Sequence, residues 1–257
     1  MGFLQVKTVD YVSVVTIVRP PANALSQELL QEFSNLLKSL ENNQDSRVIV
    51  LHGEGRFFCA GADIKEFTAL SNEDDYRQLA KNGQDVLQYI ESYPKPIIAA
   101  IHGAALGGGL ELAMSCHMRF VSETAKLGLP ELQLGIIPGF AGTQRLPRYV
   151  GVGRACEMML TSEPITGKEA VQAGLANAAY PEEELMDRVM EAASKMAKKS
   201  PITVSAVLQL LKYTNSDSFY KGVEKEAELF GNVFSSNDAK EGVAAFIEKR
   251  PPHFKGE

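Results

Sequence analysis

Cysteine is scarce in this chain: three residues in 257, Cys59, Cys116 and Cys156. They are odd in number and far apart, with no CxxC pair and no zinc-like spacing. This gives no basis for a disulfide framework or a cysteine metal site. A reducing, cytoplasmic compartment is the expectation. No apolar run reaches the roughly 18 residues needed to cross a bilayer, so no membrane partner is expected. The first nine residues alternate like a strand and lack a charged stretch followed by an apolar one, so no signal peptide is expected. Basic charge is also short, with 26 Lys and Arg against 32 Asp and Glu and a net charge of −6. Without a basic patch, nucleic acid is not an expected partner. An anionic ligand would have to be held by a local cluster rather than by the global field. No GxSxG, HExxH or Cys–His pattern occurs, so nucleophilic-serine and metal mechanisms have no support.

What is present is an ordinary globular composition, 45% hydrophobic and 23% charged, long enough for one large domain or a domain plus an appendage. Residues 3–9 and 12–18, rich in Val, Ile and Thr, predict a hairpin. Pro20 and Pro21 end it. Ser26 is placed to cap a helix carrying Leu29, Leu30, Phe33, Leu36, Leu37 and Leu40 at helical spacing. Residues 47–52 and 97–101 read as buried strands, 73–92 as a helix capped by Ser71 or Asn72, 109–116 as a helix and 118–122 as a strand. From 140 onward the pattern is mainly helical, near 143–161, 167–173, 182–199, 202–213, 217–234 and 238–248. Strand–helix units first and helices last predict an α/β core with a helical C-terminal region. The Gly151–Gly167 stretch reads as the boundary between the two.

Three segments carry chemistry. In Phe57–Glu66 small residues follow a strand end and allow close approach of a backbone N–H to a ligand. In Gly103–Glu111 three consecutive glycines precede a helix, whose unpaired N-terminal amides suit a negative oxygen. Glu111 lies in the first turn among apolar residues. In Leu127–Gly139 a second carboxylate, Glu131, stands between Pro130 and Leu132 in an apolar setting where burial disfavours its charge. Taken singly, the first two segments are equally compatible with a packing or helix-start role, and Glu131 by itself reads better as an exposed loop glutamate.

In order and at full length, FCAGADIKEF, GAALGGGLELAMSC, LGLPELQLGIIPGFAGTQRL, GVGRACEMMLTSEPI and FIEKRPPHFKG resemble the crotonase (enoyl-CoA hydratase/isomerase) superfamily, from about Val9 to Gly256. The resemblance implies a spiral of ββα units over 1–195, with a helical C-terminal oligomerisation region over 196–257. It implies a homotrimer or homohexamer. It also implies an acyl-CoA substrate, with no cofactor beyond the coenzyme A of the substrate and no metal. It places the thioester oxygen between the amides of Ala60 and Gly108. The substrate is expected along Gly61, Ala62, Asp63, Ile64 and Lys65, with the adenine end against Ala22 and Ala24. Family hydratases set two glutamates around the reacting double bond, matching Glu111 and Glu131. Many members with other reactions keep only one of the pair. The reading is therefore a lyase that adds water to a trans-2-enoyl-CoA in fatty-acid β-oxidation. The alternative is an enoyl-CoA isomerase or another reaction on a specialised CoA ester. A non-enzymatic RNA-binding homologue is disfavoured by the net charge and the intact pair.

The chain departs from the family pattern at three places. His117 stands where Asp is common, and a structural role is expected for it. Ala141 replaces a frequent glycine. The PPANAL stretch at 20–25 replaces a segment that more often carries Lys or Arg, leaving Lys65, Lys249 and Lys255 as candidate partners of the CoA phosphates.

Overall fold

The computed structural model describes residues 2–68, 73–215 and 236–257. The hairpin forms as β1 (Leu4–Val9) and β2 (Val12–Ile17), antiparallel, with Val9 opposite Val12. Its turn residues Asp10 and Tyr11 both have positive φ, 48° and 65°, the geometry of a two-residue turn whose twist matches the strands. Ser26 caps α1 (Gln27–Glu41) by accepting from the Leu29 amide at 3.2 Å. The chain then lays down β3 (Val48–Gly53), α2 (Ile64–Thr68), α3 (Glu73–Glu91) and β4 (Ile97–Ile101). The expected caps of α3, Ser71 and Asn72, lie outside the described residues.

From β4 the pattern becomes a strand of the main sheet, then a short strand of a second sheet, then a helix. β5 (Ala104–Leu106) leads into α4 (Gly108–Ser115). β6 (Met118–Ser122) and β7 (Lys126–Gly128) lead to a 3₁₀ turn at Glu131–Leu134 and α5 (Gly142–Thr161). β8 (Ile165–Thr166), α6 (Gly167–Gln172), β9 (Ala178–Tyr180) and α7 (Glu182–Ala197) follow. The main sheet runs β1-β2-β3-β4-β6-β9, parallel throughout except at β1, and the small sheet runs β5-β7-β8. This is the α/β spiral of repeated ββα turns.

The runs at 48–51 and 97–101 are continuously apolar because both faces of the main sheet are covered. Ile49, Leu51, Ile97, Ala99 and Ile101 join one cluster with α1, α3 and α4. Val48, Val50, Ile98 and Ala100 join another beneath Leu185, Val189, Ala193 and Ala197 of α7.

Two sequence expectations need correction. The core does not end at Gly151–Gly167, because β8 and β9 lie beyond Gly151 and pair with β7 and β6. Nor is 143–161 one uniform helix. Gly151 breaks α5 with φ 77° and ψ 159°. The C-terminal region supplies α8 (Pro201–Leu211), a 3₁₀ turn at Lys212–Asn215 and α9 (Asn237–Glu248). The helix expected over 217–234 lies outside the described residues. Among the described residues no helix is long and apolar enough to cross a membrane.

Candidate active site

Glu111 sits on α4, whose eight residues are all buried. With 1% of its surface exposed, its charge has little water to solvate it. Two backbone donors compensate in part: the Phe140 and Gly142 amides reach one carboxylate oxygen at 2.8 and 2.6 Å. Gly142 is glycine for a steric reason, since a Cβ there would stand 2.8 Å from Glu111 Oε1. Burial, and next the Glu131 charge, push the Glu111 pKa up to about 7, against the pull of the two amides and Arg145. Arg145, itself buried, donates to Phe140 O at 2.8 Å and to Glu91 at 2.9 and 3.1 Å. It thereby holds the segment that holds Glu111.

Glu131 opens the 3₁₀ turn and is half-buried. Its Oε2 is buried without a hydrogen-bond partner among the described residues, and burial raises its pKa. Its Oε1 lies 3.1 Å from where a Gly107 Cβ would be, so the glycine at φ 50° makes room for it. Both carboxylates line one cavity of about 150 Å³, shared with Ala60, Gly61, Ala62, Ile64, Gly108 and Phe140.

The small-residue segment is held as a strand-like ladder. The Ala60 amide donates to Ala22 O at 3.0 Å, Leu25 to Gly61 O at 2.8 Å, and Asp63 to Leu25 O at 2.8 Å. This corrects one expectation: Ala60 lines the cavity, but its N–H is already taken by Ala22. The alternation leaves the Ala62 amide without an acceptor among the described residues. The Gly108 amide is the first of α4, one of those a helix leaves without an internal partner. A Cβ built on Gly108 would stand 3.2 Å from Ala62 N, so the two amides flank one small space.

Ala22, Ala24, Asp63 and Lys65 line a second cavity of about 480 Å³, with Arg19 and Phe3. Arg19 donates to Ala24 O at 3.0 Å and to Asp63 at 2.5 Å, and the bond from Arg19 holds the Asp63 carboxyl below its ordinary range. The expected substrate residues thus fall into two cavities joined by the 60–63 segment. Lys249 and Lys255 stand on the C-terminal segment and line neither. A larger cavity of about 740 Å³, beside Met114, His117 and Arg145, contains neither glutamate nor either amide.

His117 accepts from the Ile97 amide through Nδ1 at 3.0 Å and burial lowers its pKa to about 4, so it stays neutral and braces β4. Cys59 and Cys116 are buried thiols and Cys156 is an exposed one. Phe140, Gly142 and Arg145 went unnoticed as functional positions in the residue pattern. Only the glycine at 142 carried a signal, and its reason appears once Glu111 is seen beside it. Among the described residues no three His, Cys, Asp or Glu side chains gather where a metal could sit.

Comparison with known proteins agrees with this geometry. The family described as enoyl-CoA hydratase/isomerase matches residues 7–257. A protein of Bacillus subtilis (strain 168) described as a probable enoyl-CoA hydratase is 56% identical, each chain covered in full. A 2,3-dehydroadipyl-CoA hydratase of Escherichia coli (strain K12) is 38% identical, again over all of both chains. The crystal structure of an enoyl-CoA hydratase from Bacillus anthracis superposes with a TM-score of 0.94 at 39% identity, covering 100% of both chains.

Proposed function

This chain belongs to the enoyl-CoA hydratase/isomerase family, and from that premise we propose that it hydrates trans-2-enoyl-CoA to 3-hydroxyacyl-CoA. The observation that carries the proposal is the Glu111–Glu131 pair in one small cavity beside two available amides. The thioester oxygen is held between the Ala62 and Gly108 amides. As a nucleophile attacks C3, electron density moves through C2 to that oxygen, and two fixed donors stabilise the enolate that develops.

Two carboxylates that share a poorly solvated space resist carrying two charges, and they titrate as a pair. With Glu111 raised to about 7 and Glu131 raised by burial, a state with one proton on the pair is well populated near neutrality. That is the state hydration needs. The ionised carboxylate takes a proton from water as its oxygen bonds to C3, and the protonated one delivers its proton to C2. One proton enters the pair and one leaves, so its charge is unchanged after turnover. Two groups in one cavity that act on the same face of the double bond give syn addition. The coenzyme is part of the substrate, and no further cofactor enters the scheme.

The second cavity suits the nucleotide end of coenzyme A, with Ala22 and Ala24 supplying backbone and Lys65 a cation at its edge. The C-terminal region over 196–257 is proposed to pack subunits into a trimer or hexamer, which light scattering at micromolar concentration tests. A stable monomer would reject that assembly. A cytoplasmic place in fatty-acid β-oxidation fits the reaction and the three free thiols. The deciding experiment adds purified protein to crotonyl-CoA. The conjugated enoyl-thioester absorbance is expected to fall as 3-hydroxybutyryl-CoA forms. Unchanged absorbance with folded protein overturns the assignment.

A further inference from the structure

We propose that Phe140 is the end wall of the acyl chamber and restricts this enzyme to short acyl chains, an inference that rests on the hydratase reading above. Phe140 is 4% exposed, and its ring lies between two helices at positions where both carry glycine. A Cβ on Gly83 of α3 would stand 2.2 Å from the ring, and one on Gly108 of α4 would stand 3.4 Å from it. Gly83 is a poor residue for the interior of a helix. Its presence is explained by the ring, which occupies the space a side chain would take.

The backbone around the ring is fixed from three directions. The Phe140 amide donates to Glu111 at 2.8 Å, its carbonyl accepts from Arg145 at 2.8 Å, and Gln84 of α3 donates to Gly139 O at 3.0 Å. These bonds fix the backbone from which the ring projects, and the ring itself is held by its burial against Gly83 and Gly108.

Volume sets the consequence. A cavity of about 150 Å³ is the size that accommodates one benzene-sized group. With the thioester oxygen at Ala62 and Gly108 and the coenzyme leading toward Ala22, the acyl tail must run away from the handle, past the glutamates. On the closed side the chamber ends at Phe140, while Leu134 and Ile137, 60% and 72% exposed, form its open rim. A crotonyl group fits this space, whereas the six further methylenes of a decenoyl group, stopped at Phe140, must leave over the exposed Leu134 and Ile137 and forgo enclosed contacts. Removing the ring frees roughly another benzene-sized volume and opens the chamber toward Gly83.

The test measures kcat/KM for crotonyl-CoA, trans-2-hexenoyl-CoA and trans-2-decenoyl-CoA with the wild type, Phe140→Ala, Phe140→Leu and Gly83→Ala. The wild type is expected to prefer crotonyl-CoA to decenoyl-CoA by at least about 100-fold. Phe140→Ala is expected to reduce that preference at least about tenfold, since a methylene or two in an apolar pocket is worth about that much discrimination. Should Phe140→Ala fold poorly, Phe140→Leu gives a smaller shift in the same direction. Gly83→Ala drives the ring inward and lowers hexenoyl-CoA turnover more than crotonyl-CoA turnover. A wild type that hydrates decenoyl-CoA as well as crotonyl-CoA overturns the wall. So do folded Phe140 variants with an unchanged chain-length ratio. A wild type that hydrates none of the three overturns the hydratase reading instead, and the two failures are thereby told apart.

Discussion

Helix α4 and the 3₁₀ turn at Glu131–Leu134 each bring one glutamate to the cavity, under different constraints. Every residue of α4 is buried, and Glu111 is pinned by two amides. No residue of the turn is buried, Leu134 is 60% exposed, and Glu131 Oε2 has no partner among the described residues. One carboxylate is set by the core, and the other is carried on the kind of lightly packed surface that opens and shifts first. The pairing teaches how a site can combine a fixed reference point with an adjustable one. In the proposed reaction the fixed group would define where the double bond must lie. The adjustable one can follow a proton that changes place during turnover.

If the two groups act as one unit in spite of this difference, Glu111→Gln and Glu131→Gln should each lower kcat by on the order of 10²–10⁴. KM should change far less, and the double variant should be much less than multiplicatively worse. Steady-state kinetics on crotonyl-CoA decides the matter. A large loss for one glutamate and near-normal turnover for the other would break the pairing.

The next effect concerns the amide at the start of α4. Gly108→Val puts a branched side chain where even a Cβ would stand only 3.2 Å from Ala62 N. Turnover should fall by about 10²–10³ with the circular dichroism spectrum unchanged. Near-normal turnover in a folded variant would remove the amide pair from the mechanism.

The smallest effect is on stability and sharpens the contrast. The folded state keeps a proton on Glu111 that the unfolded chain releases between pH 4.5 and about 7. Across that window the folded protein binds more protons, so stability falls as pH rises. At pH 8 the cost of carrying this charge, from burial first and the Glu131 charge next, is about 3 kcal/mol by that shift. Glu111→Gln, which keeps an oxygen to accept from both amides, should raise the melting temperature at pH 8 and leave it little changed at pH 4. Glu131→Gln, on the half-buried turn, should gain less. Equal gains at the two positions would erase the distinction between them.

Much of this was legible beforehand. The Val, Ile and Thr content of 12–17, the doubly apolar runs at 48–51 and 97–101, and the Ser26 cap are local signals, and local packing obeys them. The small sheet was not legible, because β5, β7 and β8 hold only three, three and two residues. Runs that short carry no period, and only their partners define them. The glutamates stood out as charges among apolar neighbours. The choice between the Ala60 and Ala62 amides could not, because it depends on Ala22 O, a contact made 38 residues away along the chain. Phe140 and Arg145 went unread for the same reason: each matters through what it touches on α3 and α4.

That ladder between residues 22–25 and 60–63 ties the proposed coenzyme end of the substrate to the Ala62 amide. Two segments laced by three hydrogen bonds move as one body. Grip on the distant nucleotide is then converted into placement of the reacting carbonyl. Binding energy of this kind, drawn from parts of a substrate that do not react, is used in the transition state rather than in the ground state. A thioester shortened to its pantetheine arm would therefore lose rate at saturation as well as affinity, and added free nucleotide would not restore it, since the force must arrive through a covalent tether.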